Sequence, residues 1–347
     1  MDIASLTPEE ITALIGDKPY RGKQIFNWLH QKQIVSFDAM TDLPKPLREK
    51  LKLRHSIGTD IHKLKSVSSA DQTTKYLFEM EKNTIIESVY MSYQFGGSVC
   101  ASTQAGCRMG CIFCASGKNG LERDLAPSEI CAQIYAIQRE KGRAGHVVLM
   151  GCGEPLDNYD NTVKFIRLIS DENGQRLSGR SITVSTCGLV PQIIKLADEM
   201  LTVTLAVSLH APNDAIRERL TPAARAYPMA GLLRACEYYA DKTKRRVTFE
   251  YTMIKGINDS LSNAHELALR LKGTLSHVNL IRLNETDCAG LRPSTEETVR
   301  RFADALNSRG VETTVRRSMG GDINAACGQL RNGYQHTTHE KLQQVMN

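Results

Sequence analysis

Six short apolar runs typical of β-strands recur along the second half of the chain, and helical stretches separate them. They span residues 146–150, 181–185, 202–208, 247–253, 277–283 and 312–316. Residues 128–141, closed by Gly142, carry apolar side chains at helical spacing. Repeated β–α units with short apolar strands form parallel sheets. The sequence therefore predicts an α/β fold, a partial or complete parallel β/α barrel, with its chemistry at the C-terminal ends of the strands.

The first ninety residues show a different pattern of short helices followed by strands. Thr7, Pro8 and Glu10 form a capping-box sequence, and further helices fit residues 21–32 and 45–53. Strand-like runs follow at 74–80 and 84–91, with a turn at 81–83. We therefore expect a helical accessory domain over residues 1–60 and a β-hairpin extension over 61–92. The barrel and a C-terminal loop take up 93–331, and a flexible tail spans 332–347.

Composition and charge describe a globular, mildly basic chain. Its 347 residues suffice for one large barrel with a small appendage, and 41% are hydrophobic against 24% charged. The net charge of +6 permits an acidic partner such as RNA, although many metabolic enzymes have a similar charge. The segment from residue 42 to residue 65 contains seven basic residues and only three acidic ones. That run is either a solvated helix face or an RNA-binding surface.

The sequence lacks the features of membrane and exported proteins. No apolar run approaches the roughly 18–20 residues of a membrane span, and the N-terminus lacks the pattern of a signal peptide. We therefore expect a cytoplasmic protein that does not associate with membranes. Ten cysteines in a reducing compartment indicate metal binding, redox chemistry or core packing rather than a disulfide framework.

The strongest motif is a CxxxCxxC loop formed by Cys107, Cys111 and Cys114. Three thiolates this close can hold three irons of a [4Fe–4S] cubane and leave the fourth iron open. An open iron can bind S-adenosylmethionine (SAM) and split it by one electron, which is the chemistry of radical-SAM enzymes. A zinc site would need a fourth ligand, and a thioredoxin-like pair would not require Cys107.

Polar residues stand at the ends of the predicted strands, where barrel enzymes bind their ligands. The turn Gly151-Cys152-Gly153-Glu154-Pro155 follows the first run directly, and its carboxylate could take the ammonium of SAM. Other strand ends carry Ser185, Ser208-Leu209-His210 and Asn284.

Together with the segment from Cys100 to Cys107 and the segment from Gly321 to Leu330, these motifs resemble the RlmN/Cfr family of radical-SAM RNA adenosine methyltransferases. The resemblance runs from about residue 19 to residue 330. It implies a [4Fe–4S] cluster on Cys107, Cys111 and Cys114, and SAM contacts at Gly153, Glu154, Ser185, Ser208, Leu209, His210 and Asn284. It further implies that Cys327 is methylated, that Cys100 is the second catalytic cysteine, and that Glu87 is a proton acceptor. The N-terminal helices resemble the family's RNA-binding accessory domain.

The resemblance also implies a mechanism and a set of partners. An amidine carbon of adenine is electron-poor and cannot attack a SAM methyl group directly, so Cys327 carries the methyl group to the base. Cys100 then releases the product and leaves a transient disulfide. The expected partners are 23S rRNA, tRNA near the anticodon, an electron donor and a thiol reductant, and the expected state is a monomer.

Several alternatives stay open at this stage. Cys152 stands where the family more often has Met or Thr, and Arg282-Leu283 stand where RlmN proteins more often have Ile-Pro before the Asn. Methylation at adenine C2, as in RlmN, is favoured over C8, as in Cfr. A radical-SAM maturase and a zinc-bearing RNA-binding module are the other candidates. We interpret Cys131, Cys187 and Cys236 as core residues, and the roles of Cys152 and Cys288 are undecided.

Overall fold

A single large β-sheet forms the frame of the molecule. The computed structural model describes residues 1–59, 61–284 and 290–330, so Cys288 and the predicted tail over 332–347 lie outside the described residues. The strands in the described residues are β1 (His62–Ser68), β2 (Thr74–Met80), β3 (Thr84–Tyr93), β4 (Gly96–Cys100), β5 (Gln104–Gly106), β6 (Leu121–Asp124), β7 (Ala144–Leu149), β8 (Ile182–Thr186), β9 (Thr204–Ser208), β10 (Val247–Met253), β11 (Ser276–Arg282) and β12 (Thr313–Arg316).

The sheet joins an antiparallel half to a parallel half. Its order is β1-β2-β3-β4-β7-β8-β9-β10-β11-β12, and β5 pairs separately with β6. Neighbours are antiparallel from β1 to β4 and parallel from β4 to β12. The predicted α/β class with a parallel sheet is therefore confirmed. Within the described ranges β1 and β12 are both edge strands, so the barrel is partial.

Helices follow the parallel strands and cover them with apolar faces. The α-helices of the described residues are α1 (Pro8–Ile15), α2 (Pro19–Phe26), α3 (Lys45–Arg54), α4 (Pro127–Lys141), α5 (Tyr159–Ser170), α6 (Val190–Asp198), α7 (Asp214–Leu220), α8 (Met229–Thr243), α9 (Leu261–Leu271) and α10 (Glu296–Asn307). Residues 27–31 extend α2 by a π-helical turn. None of the helices described is long and apolar enough to cross a membrane.

The segment over residues 61–92, predicted as a two-stranded hairpin, contributes three strands to the main sheet. The additional strand, β1, is almost wholly exposed, so it lacks the apolar alternation by which strands are found in a sequence. The turn between β2 and β3 is the 3-10 turn Glu81–Asn83. The hairpin is therefore continuous with the barrel sheet.

The N-terminal helices share the apolar core of the barrel. The capping box at Thr7 forms as expected, with both of its hydrogen bonds to Glu10 in place. Ile11 and Ile25 are fully buried in the same core as the strand residues. His30 makes a hydrogen bond of 2.8 Å through Nδ1 to the hydroxyl of Tyr135 on α4. The N-terminal helices are thus joined to the barrel by buried contacts.

We predict that His30 makes the stability of the protein depend on pH. Burial lowers its pKa from 6.5 to about 4. An imidazole that charges in the unfolded chain but not in the folded one stabilises the fold fully above pH 6.5, and this contribution is lost as the pH falls towards 4. We expect about 2 kcal/mol of this loss between pH 7 and pH 5. Urea unfolding across that range should show a shallower pH slope for His30→Leu, and an unchanged slope would contradict the assignment.

Candidate active site

The CxxxCxxC loop over residues 107–114 is here called the cluster loop, after its predicted role. Its three cysteines line a cavity at the C-terminal ends of the parallel strands, here called the central cavity. Backbone hydrogen bonds fold the loop around that opening. Cys107 N donates to Gly120 O at 3.0 Å, and Cys114 N donates to Cys111 O at 3.1 Å. Gly110, between the first and second cysteines of the motif, adopts a φ of 69°, which favours glycine and lets the chain turn just before Cys111.

Two of the loop thiols, Cys107 and Cys111, lie in surroundings that favour the neutral thiol. Burial raises the pKa of Cys111 to about 12 and raises that of Cys107 further. Among the described side chains, no three His, Cys, Asp or Glu residues lie close enough together to hold a single metal ion. Thiolates that each bind a different iron of a cubane do not need to meet at one point.

The Gly-rich turn after β7 brings a buried carboxylate to the central cavity. Glu154 accepts backbone hydrogen bonds from Cys187 N at 2.7 Å and Leu156 N at 3.1 Å. Burial raises its pKa, and these hydrogen bonds oppose that rise. A carboxylate that is buried against amide donors gains most from a cationic ligand, because a nearby positive charge offsets the cost of desolvation. The arrangement suits the ammonium group of an amino acid.

The turn also depends on two glycines that pack directly against the neighbouring chain. A Cβ on Gly151 would lie 2.7 Å from the backbone of Ala101, and one on Gly153 would lie 2.6 Å from Cβ of Gln104. Gly153 has a φ of 109°, in the region that favours glycine. Only glycine therefore allows this close approach.

Ten of the residues predicted from the sequence line the central cavity together. They are Cys107, Cys111, Cys114, Gly153, Glu154, Ser185, Ser208, His210, Asn284 and Cys327. Leu209 is different, because it is fully buried and is absent from that lining. Its backbone amide donates to Glu250 O at 3.0 Å. Leu209 therefore fixes the end of β9 against β10 and does not present a side chain to the cavity.

His210 stands in the central cavity as a neutral imidazole. Burial lowers its pKa to about 3, and the neighbouring Arg217 acts in the same direction. Its Nδ1 accepts from Thr252 N at 3.0 Å, so the proton of the neutral ring is on Nε2. His210 can therefore donate one hydrogen bond from Nε2.

Cys100 and Cys327 line a second cavity, here called the thiol cavity, which adjoins the central one. Met150, Asn284, Arg316 and Cys327 belong to the walls of both cavities. Cys100 is the last residue of β4 and is 8% exposed. Burial and the facing Cys327 raise its pKa to about 12, while Arg316 acts in the opposite direction. The two cysteines thus line the same cavity and lie close enough to interact electrostatically.

Glu87 lies on β3, on the side of the sheet that faces the thiol cavity. It is two residues before Val89, which lines that cavity, and alternate residues of a strand point to the same side. The carboxylate is 4% exposed and forms an ion pair of 3.3 Å with Lys75. Glu87 itself is not part of either cavity wall.

None of the nine cysteines within the described residues forms a disulfide. Cys131 and Cys236 are buried, as the sequence predicted. Cys187 is buried as well, but it also lines the central cavity. Cys152, whose role was undecided, accepts a hydrogen bond at Sγ from Gly106 N at 3.2 Å. It therefore ties the Gly-rich turn to the chain that enters the cluster loop.

Several polar residues of the site were not predicted. Gln104 accepts from Glu154 N at 2.8 Å and donates to Asp157 at 2.9 Å. Glu250 and Arg316 line the central cavity and lie 3.9 Å apart. A charged residue inside an otherwise apolar run of β10 was the available signal for Glu250. The partners of Gln104 are distant in sequence, so a local pattern could not reveal them.

Comparison with known proteins agrees with this geometry. Residues 101–268 match the family model described as the radical SAM superfamily. Residues 1–57 match the model described as the ribosomal RNA large subunit methyltransferase N-terminal domain. A probable dual-specificity RNA methyltransferase RlmN of Alkaliphilus oremlandii is 50% identical over 335 residues, which cover 95% of this chain and 97% of the relative. The chain belongs to the RlmN family.

Other RlmN relatives and a solved structure match at similar coverage. The corresponding protein of Thermoanaerobacter sp. (strain X514) is 47% identical over 326 residues, which cover 94% of this chain and 95% of the relative. The crystal structure of a radical SAM methyltransferase from Sphaerobacter thermophilus superposes with a TM-score of 0.90 at 46% identity. The match covers 95% of this chain and 99% of the Sphaerobacter thermophilus chain. The predicted resemblance to the RlmN/Cfr family is therefore confirmed.

We predict that Gly153→Ala weakens SAM binding because the added methyl group collides with Gln104 and displaces Glu154. Local strain of about 1–3 kcal/mol corresponds to roughly 5- to 150-fold in affinity. Gly96→Ala is the matched control, because Gly96 has a φ of 120° and open space around its Cα. Equilibrium dialysis with SAM should show a loss for Gly153→Ala alone, and equal losses in both variants would contradict the collision.

Proposed function

We propose that this RlmN family protein methylates an adenosine of 23S rRNA, and an adenosine of tRNA near the anticodon, at C2 of the adenine. The proposed route uses an S-methylcysteine at Cys327 and a transient disulfide between Cys327 and Cys100. The observation that carries the proposal is the placement of these two cysteines in one cavity, next to the cavity of the three loop cysteines. A radical-SAM enzyme that modifies another kind of substrate would not need this second pair.

The residues of the central cavity fit a cluster and SAM. Cys107, Cys111 and Cys114 would hold a [4Fe–4S] cluster, because these three half-buried thiols line the same cavity and the loop is closed by its own backbone hydrogen bonds. Glu154 would take the ammonium of SAM, and His210 and Ser208 are further donors in the same wall. When bound, the cluster and SAM supply methyl groups and the 5′-deoxyadenosyl radical.

The chain's own thiols carry the methyl group and release the product. Cys327 is half-buried in a loop shared by both cavities, so its sulfur can accept a methyl group from the central cavity and present it in the thiol cavity. Cys100 stands in the wall of the thiol cavity. Attack of its sulfur on the sulfur of Cys327 frees the methylated base and leaves a disulfide, which an external thiol must reduce.

Glu87 is the proposed acceptor of the ring proton. It is buried on β3, the strand that pairs with the strand of Cys100. Val89 of β3 lies directly opposite Cys100. Its backbone carbonyl also accepts a hydrogen bond of 2.6 Å from Ser102, which fixes this part of β3 against the chain that leads to the cluster loop. A base held in this way can remove a proton without a large rearrangement.

The proposed docking surface for RNA comprises α3 and β1. Lys45, Lys50, Arg54 and Lys65 are exposed there, whereas Lys52 pairs with Asp38 and Lys63 pairs with Glu140. Exposed cations attract the phosphate backbone, and RNA is recognised largely through its shape and phosphates. This surface belongs to the proposed accessory domain over residues 1–60 and to the adjacent strand.

We expect protein purified from a host that expresses the gene to carry a methyl group on Cys327, which peptide mass spectrometry can locate. Cys100→Ala should accumulate a covalent protein–RNA adduct through Cys327, because the thiol that resolves the adduct is missing. Cys236→Ala removes a buried cysteine that lines neither cavity, so it is the control and should behave as the wild type. Absence of both the methyl group and the adduct would refute the mechanism.

The position of methylation has a direct test. Nucleosides from 23S rRNA and tRNA of an expressing host, in a strain lacking its own enzyme, should contain 2-methyladenosine. Chromatography against both isomers distinguishes it from 8-methyladenosine, whose appearance would assign the Cfr reaction instead. Methylated 23S rRNA with unmodified tRNA would restrict the proposal to the ribosomal substrate.

A further inference from the structure

The turn between β1 and β2 is hydrogen-bonded to the loop that carries Cys327. Asp71 Oδ2 accepts from Gly320 N at 2.9 Å, and Ser69 Oγ donates to Asp322 Oδ1 at 2.5 Å. The two segments also touch closely, since a Cβ on Gly320 would lie 2.8 Å from Cγ2 of Thr73. These contacts join parts of the chain about 250 residues apart.

Lys75, at the start of β2, connects the same loop to the buried carboxylate of Glu87. Its Nζ donates to Asn324 O at 3.2 Å, three residues before Cys327, and lies 3.3 Å from Glu87 Oε1. The side chains of Lys75 and Glu87 are only 17% and 5% exposed. Truncation of one partner of a buried ion pair leaves the other charge without compensation, so the geometry of Glu87 depends on Lys75.

The other side of the Cys327 loop has separate supports. Asn284 Nδ2 donates to Cys327 O at 3.1 Å, and Ala115 N donates to Gly328 O at 2.8 Å. Cys327 is therefore fixed towards the cluster loop by contacts that do not involve β2. Loss of the contact at Asn324 should leave this side in place.

We propose that Lys75 is a positioning residue for the RNA half of the reaction, because its ammonium holds the carboxylate of Glu87 against the loop of Cys327. The inference rests on the proposed function. In that half, the C–H bond at the modified carbon breaks, its electron pair stays on the ring, and the proton passes to Glu87. Lys75 takes no proton and touches no reacting atom. It keeps the acceptor at a fixed place relative to the methylated sulfur.

The test separates the two halves of the reaction in Lys75→Met. The fraction of Cys327 that carries a methyl group, measured by peptide mass spectrometry, should match the wild type. Methylation of an RNA substrate should fall roughly 100-fold, the scale expected when a reacting group is displaced by about 1 Å. A protein–RNA adduct should accumulate, because the ring proton must leave before Cys100 can release the product.

Two further variants make the outcome decisive. Lys75→Arg keeps a cation that can reach both oxygens and should recover most of the RNA methylation. Lys242→Met removes a lysine that pairs with Asp198 on the outer helices and should change neither half. The proposal is overturned if Lys75→Met keeps full activity or lacks the methyl group on Cys327. It is also overturned if RNA methylation falls together with a lower Tm and Lys75→Arg does not restore it. An inactive wild type would instead overturn the proposed function.

Discussion

Strand β4 is the point at which the antiparallel half of the sheet meets the parallel half, and the site depends on its backbone hydrogen bonds to both sides. It pairs antiparallel with β3 and parallel with β7. As a result, Cys100 at its end stands opposite Val89 of β3 and Val148 of β7. The cluster loop begins seven residues later, so the same strand fixes the direction in which the chain enters the central cavity. The proposed acceptor, the resolving thiol and the cluster loop are thus all positioned from one strand.

A small buried polar network holds the chain that leaves β4. Ser102 N donates to Gln133 Oε1 at 2.8 Å, and Ser102 Oγ donates to Glu87 O at 2.6 Å. Cys152 N in turn donates to Ser102 Oγ at 2.8 Å. One serine and one glutamine on α4 therefore connect β3, β4 and the Gly-rich turn after β7. Because buried polar groups are costly without partners, the network favours a single arrangement of these three elements.

The sequence was sufficient to predict the parts of the site that are local in the chain. The cluster loop and the Gly-rich turn are continuous motifs, and β10 lies at the predicted residues 247–253, where apolar side chains occupy every second position. Strand β1 was missed because it is exposed, and β4 because its glycines and serine lack a strand pattern. The pairing of Lys75 with Asn324, and the place of Arg316 between two cavities, arise from the tertiary fold. Such contacts have no signature in a local pattern.

The proposed chemistry requires that the three loop cysteines hold a cluster which SAM can reach through the central cavity. The most direct measurement is the amount of 5′-deoxyadenosine formed when the anaerobically reconstituted protein is given SAM and a strong one-electron reductant. The proposed function predicts 5′-deoxyadenosine from the wild type and none from a variant in which Cys107, Cys111 and Cys114 are all alanine. A reconstituted wild-type protein that binds iron and SAM but forms no 5′-deoxyadenosine would contradict it.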